Sequence, residues 1–336
     1  MHGWLILDKP LGLGSTQGVS AVKRALRTGG YGKAKVGHGG TLDPLATGVL
    51  PIAIGEATKL AGRMLDSDKA YDVTIRFGEQ TDTLDAEGKV IATSDVRPTR
   101  AEIEAVLPRF TGPIEQMPPA YSALKVDGQR AYDLARAGQE VVLATRAVTV
   151  HSLTPPHPSA PAALPPSPTR GEGKAAPHSL SPCGRGKGPA AEGGGKGEGD
   201  DGLDHITLSA HVSKGTYIRS LARDIALALG TVGHVTYLRR TRAGPFTLAQ
   251  AITLDKLDET AKARSLEHLL LPLSAGLDDI PALPLTPDQA GALRQGRVLA
   301  GIAAGDGQAF AMLGENPVAL VEVQDGNVRV VRGFNL

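Results

Sequence analysis

The sequence of 336 residues lacks several features that mark secreted, membrane or metal-cage proteins. It contains a single cysteine, Cys183, which excludes an intrachain disulfide and a cysteine-based metal cage. No run of about 18 apolar residues occurs, so we expect no transmembrane helix. The amino-terminal MHGWLILDKP reaches charge at Asp8 and Lys9 after a short apolar run, unlike a signal peptide. We therefore expect a cytoplasmic protein with no membrane partner.

The chain has little net charge, but that charge is unevenly distributed. The formal net charge is +1, and hydrophobic residues make up 41% of the chain, enough for a substantial core. Basic residues exceed acidic ones by five in 1–250, whereas acidic residues exceed basic ones by four in 251–336. Mild local basicity is compatible with an RNA partner and equally with an ordinary solvated surface.

Hydrophobic periodicity predicts a chain of mixed strands and helices. Strands are predicted at 4–7, 49–54, 70–77, 141–153, 206–212, 309–312, 318–323 and 328–331. Helices are predicted at 15–27, at 56–65, from a capping box of Thr99 and Glu102 to Phe110, at 218–229, and shortly after Pro281.

The segment 155–203 differs in composition from the rest of the chain. It holds ten prolines, eleven glycines, three leucines and no aromatic residue. Such a segment cannot bury enough apolar surface to offset the entropy of ordering, so we expect it to be disordered. It lies where a hairpin turn is expected, and a long surface loop there costs little because closure entropy grows only logarithmically.

The stretch 37–52, GHGGTLDPLATGVLPI, carries a histidine and a lone carboxylate, Asp43, before a proline. It is no phosphate-binding loop, since no lysine follows the glycines. His38 and Asp43 are too few ligands for a metal site, and no neighbouring spacing supplies others, so no metal is predicted. From its residue type and neighbours alone, Asp43 is a turn or helix-cap residue with a modest chance of catalysis.

A longer block, GHGGTLDPLATGVLPIAIGEATKL, strongly resembles the catalytic motif of the TruB family, the tRNA pseudouridine-55 synthases. Further blocks resemble other motifs of the family and follow in the same order across 4–247. They are LILDKPLG, LDSDKAYDVTIRFGEQTDTLDAEG, PPAYSALKVDGQRAYDLARAG, VSKGTYIRSLARDIALALG and HVTYLRRTRAGPF. The chain departs from the family at Gly39, where a hydroxyl residue is common, and in its long 155–203 insert. Neither departure removes a catalytic group.

The resemblance implies an α+β fold with a mixed, mostly antiparallel sheet and a central cleft. It implies a catalytic domain over 1–250, with a thumb-like insert at 117–138 that pins the tRNA and the disordered insert at 155–203. A connecting helical segment then covers 251–280. A small PUA-like RNA-binding β domain covers 281–336.

The reaction implied by the resemblance is isomerisation of a uridine in the tRNA T arm, with no cofactor. The glycosidic N–C bond breaks, the uracil rotates and a C–C bond forms. The family's nucleophile corresponds to Asp43, and a carboxylate can attack a carbon electrophile on either the ribose or the uracil ring. The target uridine lies in a folded loop and must be flipped out of it.

The resemblance also implies roles for five other residues. His38 contacts the displaced bases, Tyr71 stacks on the flipped base, and Tyr217 is a further substrate contact. Leu238 packs against the base. Arg219 pairs with Asp43 and holds its rotamer; it shares a face with Tyr217 if this stretch is extended.

Four other cations have positions that suit either of two roles. They are Lys9, Lys59, Arg239 and Arg240, each of which is either a phosphate contact or a solvated surface charge. Three functions stay open at the level of sequence. The favoured one is a monomeric synthase acting on tRNA without an obligate protein partner. The others are a guide-RNA-dependent synthase of the dyskerin type and a tRNA-binding or folding module without turnover.

Overall fold

The computed structural model describes residues 1–122, 124–126, 128–139, 143–155 and 202–336. The predicted disorder of 155–203 therefore falls almost entirely on residues outside this range, and it stays a prediction. Within the described residues, no helix is both long and apolar enough to cross a membrane.

Seventeen strands and seven α-helices form the described part of the chain. The strands are β1 (Gly3–Lys9), β2 (Val36–His38), β3 (Ala46–Ile54), β4 (Lys69–Phe77), β5 (Glu79–Thr81), β6 (Val90–Thr93), β7 (Gly112–Gln116), β8 (Lys125–Val126), β9 (Gln129–Arg130), β10 (Arg146–Thr154), β11 (His205–Val212), β12 (Gly233–Ala243), β13 (Phe246–Thr247), β14 (Ala282–Pro284), β15 (Gly307–Leu313), β16 (Asn316–Gln324) and β17 (Asn327–Gly333). The helices are α1 (Ser15–Thr28), α2 (Ala61–Asp66), α3 (Arg100–Val106), α4 (Ala131–Arg136), α5 (Ile218–Ala228), α6 (Leu254–Lys262) and α7 (Pro287–Arg294).

The central sheet has nine strands, in the order β1-β3-β12-β4-β11-β10-β7, with β2 paired to β3 and β13 to β12. All of these pairs are antiparallel except β3 with β12. The predicted α+β class with a mixed, mostly antiparallel sheet is confirmed. Helices α1 and α5 bury their apolar sides in the same large cluster as the inner face of this sheet.

Local sequence signals account for most element boundaries. Thr99 and Glu102 form the predicted capping box: Glu102 N donates to Thr99 Oγ1 at 3.2 Å, and Thr99 N donates to Glu102 Oε2 at 2.8 Å. The helix predicted over 56–65 is instead a 3₁₀ helix over Gly55–Leu60 followed by α2. There Thr58 Oγ1 donates to Gly55 O at 2.8 Å, a local bond that favours the tighter turn.

The carboxyl-terminal strands β14 to β17 form a second sheet with its own apolar cluster. This sheet also packs against the central one, because Phe310, Leu320 and Phe334 share a cluster with Trp4 and Ile6 of β1. The predicted β-rich tail is therefore a distinct sheet that shares part of its core with the central sheet.

Candidate active site

Asp43 lies in the loop that joins β2 to β3. Its carbonyl oxygen accepts a hydrogen bond from Ala46 N at 3.0 Å, which closes a tight turn at the start of β3. The preceding residue is held by Ser15, whose Oγ donates to Leu42 O at 2.9 Å and accepts from Leu42 N at 2.8 Å. The side chain of Asp43 is 44% exposed, so its carboxylate is both fixed at its base and open to a substrate.

Lys9 supports the same loop from beneath. The residue is fully buried, and its Nζ donates to Leu13 O at 2.6 Å and to Pro44 O at 3.3 Å. Burial lowers the pKa of Lys9 to about 8, against the opposing effect of the negative charge of Asp43. Lys9 thus joins the end of β1 to the residue that follows Asp43.

Arg240 of β12 holds the other side of the loop and is 1% exposed. Its guanidinium donates to Val49 O at 2.7 Å, to Gly40 O at 3.1 Å and to Thr41 O at 3.3 Å. For Lys9 and Arg240, both predicted alternatives, a phosphate contact and a solvated surface charge, were therefore wrong. Both are buried cations whose donors are used by backbone carbonyls of the Asp43 loop and its neighbours.

Arg219 occupies the first turn of α5 and is 7% exposed. Its Nη2 lies 2.9 Å from Asp43 Oδ2, so the structure brings together the two residues that the resemblance paired. Its Nη1 lies 3.3 Å from Oδ2 of Asp85, a buried carboxylate. The guanidinium also donates to Thr83 O at 2.8 Å and to Tyr121 O at 2.9 Å. These four partners fix its orientation.

The condition under which Arg219 would share a strand face with Tyr217, an extended stretch, is not met, because Arg219 lies in the helix predicted over 218–229. Tyr217 is the last extended residue and α5 begins at Ile218, so Tyr217 and Arg219 do not share a strand face. The helical turn directs Arg219 into the interior. An ordinary surface arginine at the start of a helix would point to solvent instead.

Asp85 is a buried member of the candidate site that the sequence analysis missed. It lies in the block TDTLDAEG, which carries the family resemblance, but no spacing distinguishes it from the neighbouring acids. Its Oδ1 accepts from Thr83 Oγ1 at 2.5 Å and from Glu87 N at 3.0 Å. The pKa of Glu87 is raised, first by burial and then by the negative charges of Asp85 and Asp43. The site is therefore an acidic cluster centred on one buried guanidinium.

Tyr71 and Leu238 line one face of the sheet beside this cluster. Leu238 lies opposite Val73 on β4 and opposite Ala46 at the start of β3. Residues two apart on a strand share a face, so Tyr71 and Leu238 lie on the same face. Leu238 is 7% exposed and Tyr71 is partly buried against the same apolar cluster. A base placed against Tyr71 would therefore meet an apolar wall.

His38 ends β2, where it pairs with Ile52 of β3. Its Nδ1 is buried and has no hydrogen-bond partner among the described residues. Burial, followed by the positive charge of Arg240, lowers the pKa of His38, so the neutral imidazole is favoured at neutral pH. The ring thus presents an unused polar atom beside the Asp43 loop.

Tyr217 is fixed through its backbone by the fully buried Gln116 of β7. Tyr217 N donates to Gln116 Oε1 at 2.7 Å, and Gln116 Nε2 donates to Tyr217 O at 3.1 Å. The guanidinium of Arg146 lies 5.6 Å from the centre of the Tyr217 ring. The ring is therefore already placed against a positive charge at the edge of the site.

The predicted thumb-like insert, 117–138, contains β8, β9 and α4, with residues 123 and 127 outside the described range. Tyr121 and Tyr132 meet edge to face at 6.0 Å, and the Arg136 guanidinium lies 4.6 Å from the Tyr132 ring centre. Because Tyr121 O also binds Arg219, the base of this segment is joined directly to the acidic cluster.

Two glycines of the site are set by close contacts. Gly48 has φ +98°, and a Cβ there would lie 2.2 Å from Arg240 O, so only glycine lets β3 approach β12 at this point. A Cβ at Gly39 would lie 2.6 Å from Met64 Cβ. The space that a larger residue would use at position 39 is therefore filled by Met64.

Replacement of Arg240 by methionine should lower the free energy of unfolding by about 2–4 kcal/mol. The change leaves buried carbonyls without donors, each at a cost of about 1–3 kcal/mol when no other group replaces the lost bond. The matched control is Arg239→Met. Arg239 is 24% exposed and forms a 2.8 Å ion pair with Asp8, worth about 1 kcal/mol or less. Urea unfolding of both variants provides the measurement. Equal losses would contradict a specific role for Arg240.

Two family profiles match the chain. The TruB family pseudouridylate synthase N-terminal domain matches residues 26–163, and the tRNA pseudouridylate synthase B C-terminal domain matches residues 219–278. The second match ends before β14, so the PUA-like character of 281–336 stays a prediction.

Curated relatives match over the full chain. A protein of Novosphingobium aromaticivorans named tRNA pseudouridine synthase B is 59% identical over 100% of this chain and 98% of its own length. One of the same name from Zymomonas mobilis is 54% identical over 100% of this chain and 96% of its own length.

Solved structures share the fold at lower identity. An archaeal box H/ACA sRNP Nop10–Cbf5 complex contains a chain with a TM-score of 0.62 and 22% identity, covering 98% of this chain and 85% of that one. An H/ACA RNP bound to a substrate RNA containing 2′-deoxyuridine gives a TM-score of 0.65 at 23% identity, covering 99% and 85%. The curated relatives are 54–59% identical over the whole chain, which shows the family, whereas the solved structures at 22–23% identity show only the fold. The chain belongs to the TruB family of pseudouridylate synthases.

Proposed function

We propose that this protein isomerises a uridine of tRNA to pseudouridine, at position 55 in the T loop, with Asp43 as the nucleophile. The observation that carries the proposal is the pairing of a half-exposed Asp43 carboxylate with the buried Arg219 guanidinium, at 2.9 Å. The names of the full-length relatives support tRNA as the substrate.

The chemistry is an intramolecular transfer, an isomerase reaction in which atoms balance without a cofactor. The uracil leaves the anomeric carbon as the N1–C1′ bond breaks, rotates, and forms a C5–C1′ bond; C5 then loses its proton and N1 gains one. Asp43 attacks either the anomeric carbon, in which case its bond to C1′ breaks as the C5–C1′ bond forms, or the uracil ring, from which it is eliminated before the product leaves; either route returns the free carboxylate. Arg219 holds the carboxylate oriented for that attack, so that no reorganisation is needed when charge develops.

The residues around Asp43 supply the environment for the flipped base. Tyr71 stacks on the uracil, and Leu238 packs beside it on the same face of the sheet. His38 contacts the displaced bases of the RNA from beside the Asp43 loop, and Tyr217 contacts the substrate from the start of α5. The thumb-like insert, 117–138, contacts the T arm with its aromatic and basic side chains, and the sheet of 281–336 acts as a further RNA-binding module.

A synthase that needs a guide RNA is the second candidate, because the solved H/ACA complexes share the fold. The stand-alone reading has the stronger support. Relatives named tRNA pseudouridine synthase B match this chain over its whole length at more than twice the identity of those complexes. We therefore propose a monomer that acts without an obligate protein partner.

The test is pseudouridine mapping of an unmodified tRNA transcript incubated with the purified protein and no other RNA or protein. We expect conversion of one T-loop uridine. A matched transcript with cytidine at that position should stay unmodified throughout. Conversion only after a guide RNA is added would favour the second candidate. Tight tRNA binding without conversion under either condition would leave a binding or folding module.

A further inference from the structure

A group of three side chains outside the active site has the composition of a metal site. Asp68 directly precedes β4, His151 lies in a bulge of β10, and His211 lies on β11. These three strands are neighbours in the central sheet. His211 lies opposite Ala70, next to Tyr71, so it projects from the face opposite the proposed base-stacking face. The group is therefore separate from the acidic cluster.

The geometry of the group brings three donor atoms to one point. His151 Nε2 lies 3.1 Å from Asp68 Oδ2, and His211 Nε2 lies 3.9 Å from the same oxygen. The three donor atoms all lie within 4.8 Å of one another. Zinc bonds of about 2.0–2.1 Å in a tetrahedral site place ligand atoms roughly 3.3 Å apart. A contraction of up to about 1.5 Å at the widest pair, within reach of side-chain rotation, would complete the fit.

His211 supplies a second, independent observation. Its Nε2 is shielded from solvent and has no hydrogen-bond partner among the described residues. A buried polar atom without a partner is rare and calls for an unseen ligand, water or ion. Burial, and then the nearby His151, lowers the pKa of His211, which favours the neutral ring that binds metals. The Nε2 atom thus bears an unused lone pair or an unused proton 3.9 Å from Asp68 Oδ2.

We propose that Asp68, His151 and His211 bind one divalent transition-metal ion, with zinc as the best match to two imidazoles and one carboxylate. Asp68 also borders a cavity of about 410 Å³, which has room for a water molecule as the fourth ligand. The bound ion cross-links three adjacent strands on the face away from Asp43. Its role is to stabilise the sheet, and the chemistry at Asp43 does not use it.

The three side chains of this group are far apart in the sequence, which explains why no metal site was predicted. That expectation rested on ligand spacing around His38 and Asp43, whereas these three ligands come from three separate strands. Only the pairing of β4 with β11 and of β11 with β10 brings them together.

The test is titration of tag-free, chelator-treated full-length protein with Zn²⁺ by calorimetry and with Co²⁺ by visible absorption. We expect one ion per chain and a tetrahedral Co²⁺ spectrum. Loss of a ligand in Asp68→Asn, His151→Gln or His211→Gln should weaken binding about 10-fold or more, a loss that even outer-shell partners can cause. The control is His205→Gln, at an exposed histidine on the same strand β11, which should bind as wild type does.

Two results would overturn the proposal. One is the absence of stoichiometric binding by the wild-type protein. The other is binding that the ligand variants leave unchanged, which would assign it to other histidines or to Cys183. Thermal unfolding adds a check that does not depend on affinity measurements: Zn²⁺ should raise the midpoint of wild type and not that of the His151→Gln/His211→Gln double variant. Unfolding of each metal-free variant verifies that it is folded.

Discussion

Asp43→Asn is expected to lower the rate of pseudouridine formation by at least about 10⁴-fold while tRNA binding stays within a few-fold of wild type. Removal of an enzymatic nucleophile has cost about 10⁶-fold in a serine protease, and asparagine cannot replace a carboxylate as a nucleophile. Binding should persist because asparagine keeps the size and a hydrogen-bonding oxygen at a side chain that is already 44% exposed. Single-turnover conversion and filter binding of the same tRNA give the two quantities.

The matched control is Asp255→Asn, at an exposed aspartate in the first turn of α6. It changes the charge by the same amount and should leave both quantities unchanged. Substantial conversion by Asp43→Asn would remove Asp43 as the nucleophile without affecting the assignment of the reaction. Loss of binding in that variant would instead assign Asp43 to RNA recognition.

Arg219→Met is expected to lower the free energy of unfolding by about 3–5 kcal/mol, the usual cost of leaving a buried charge without its partner. Asp85, 3.3 Å from Arg219, has a side chain only 4% exposed and would be that charge. The rate of pseudouridine formation should fall by about 10²–10³-fold in addition, because the Asp43 carboxylate loses the donor that orients it. Urea unfolding and single-turnover conversion measure the two effects separately.

Two further variants separate these effects. Arg223 lies one turn along α5 and pairs with its partly exposed neighbour Asp224, so Arg223→Met should cost about 1 kcal/mol or less. The double variant Arg219→Met/Asp85→Asn should regain part of the lost stability, since no uncompensated carboxylate remains, but none of the lost rate. A double variant that regains both would show that Arg219 contributes only to folding.

Most of the secondary structure could be predicted from the sequence, because the signals are local. Alternation in β4, the 3.6-residue period of α1 and α5, and the capping box at Thr99 each depend on residues a few positions apart. The family resemblance was equally local, since it rests on short ordered blocks. It pointed to Asp43 and its pairing with Arg219, which no spacing in the chain reveals.

The burial of charge could not be predicted, because it depends on contacts between distant segments. Lys9, Arg240 and Asp85 are of residue types that usually lie on the surface, yet each is at most 3% exposed. Their positions follow from the pairing of β1 and β12 with β3 and from the bridge between Asp85 and Val235. A sequence window cannot show which charge meets a carbonyl or a counter-charge from a distant segment.

The sequence by itself determined the alternation of strands and helices and the family, and it pointed to Asp43 as the proposed nucleophile, because each of these depends on residues close together in the chain. The tertiary structure alone decided that the Arg219 guanidinium joins Asp43 to Asp85. It also decided that the buried cations Lys9 and Arg240 hold the Asp43 loop. It also decided that two histidines and Asp68 converge on the opposite face. The physical reason is that electrostatic and hydrogen-bonding partners are chosen by distance in space, and that distance is set only when the sheet has formed.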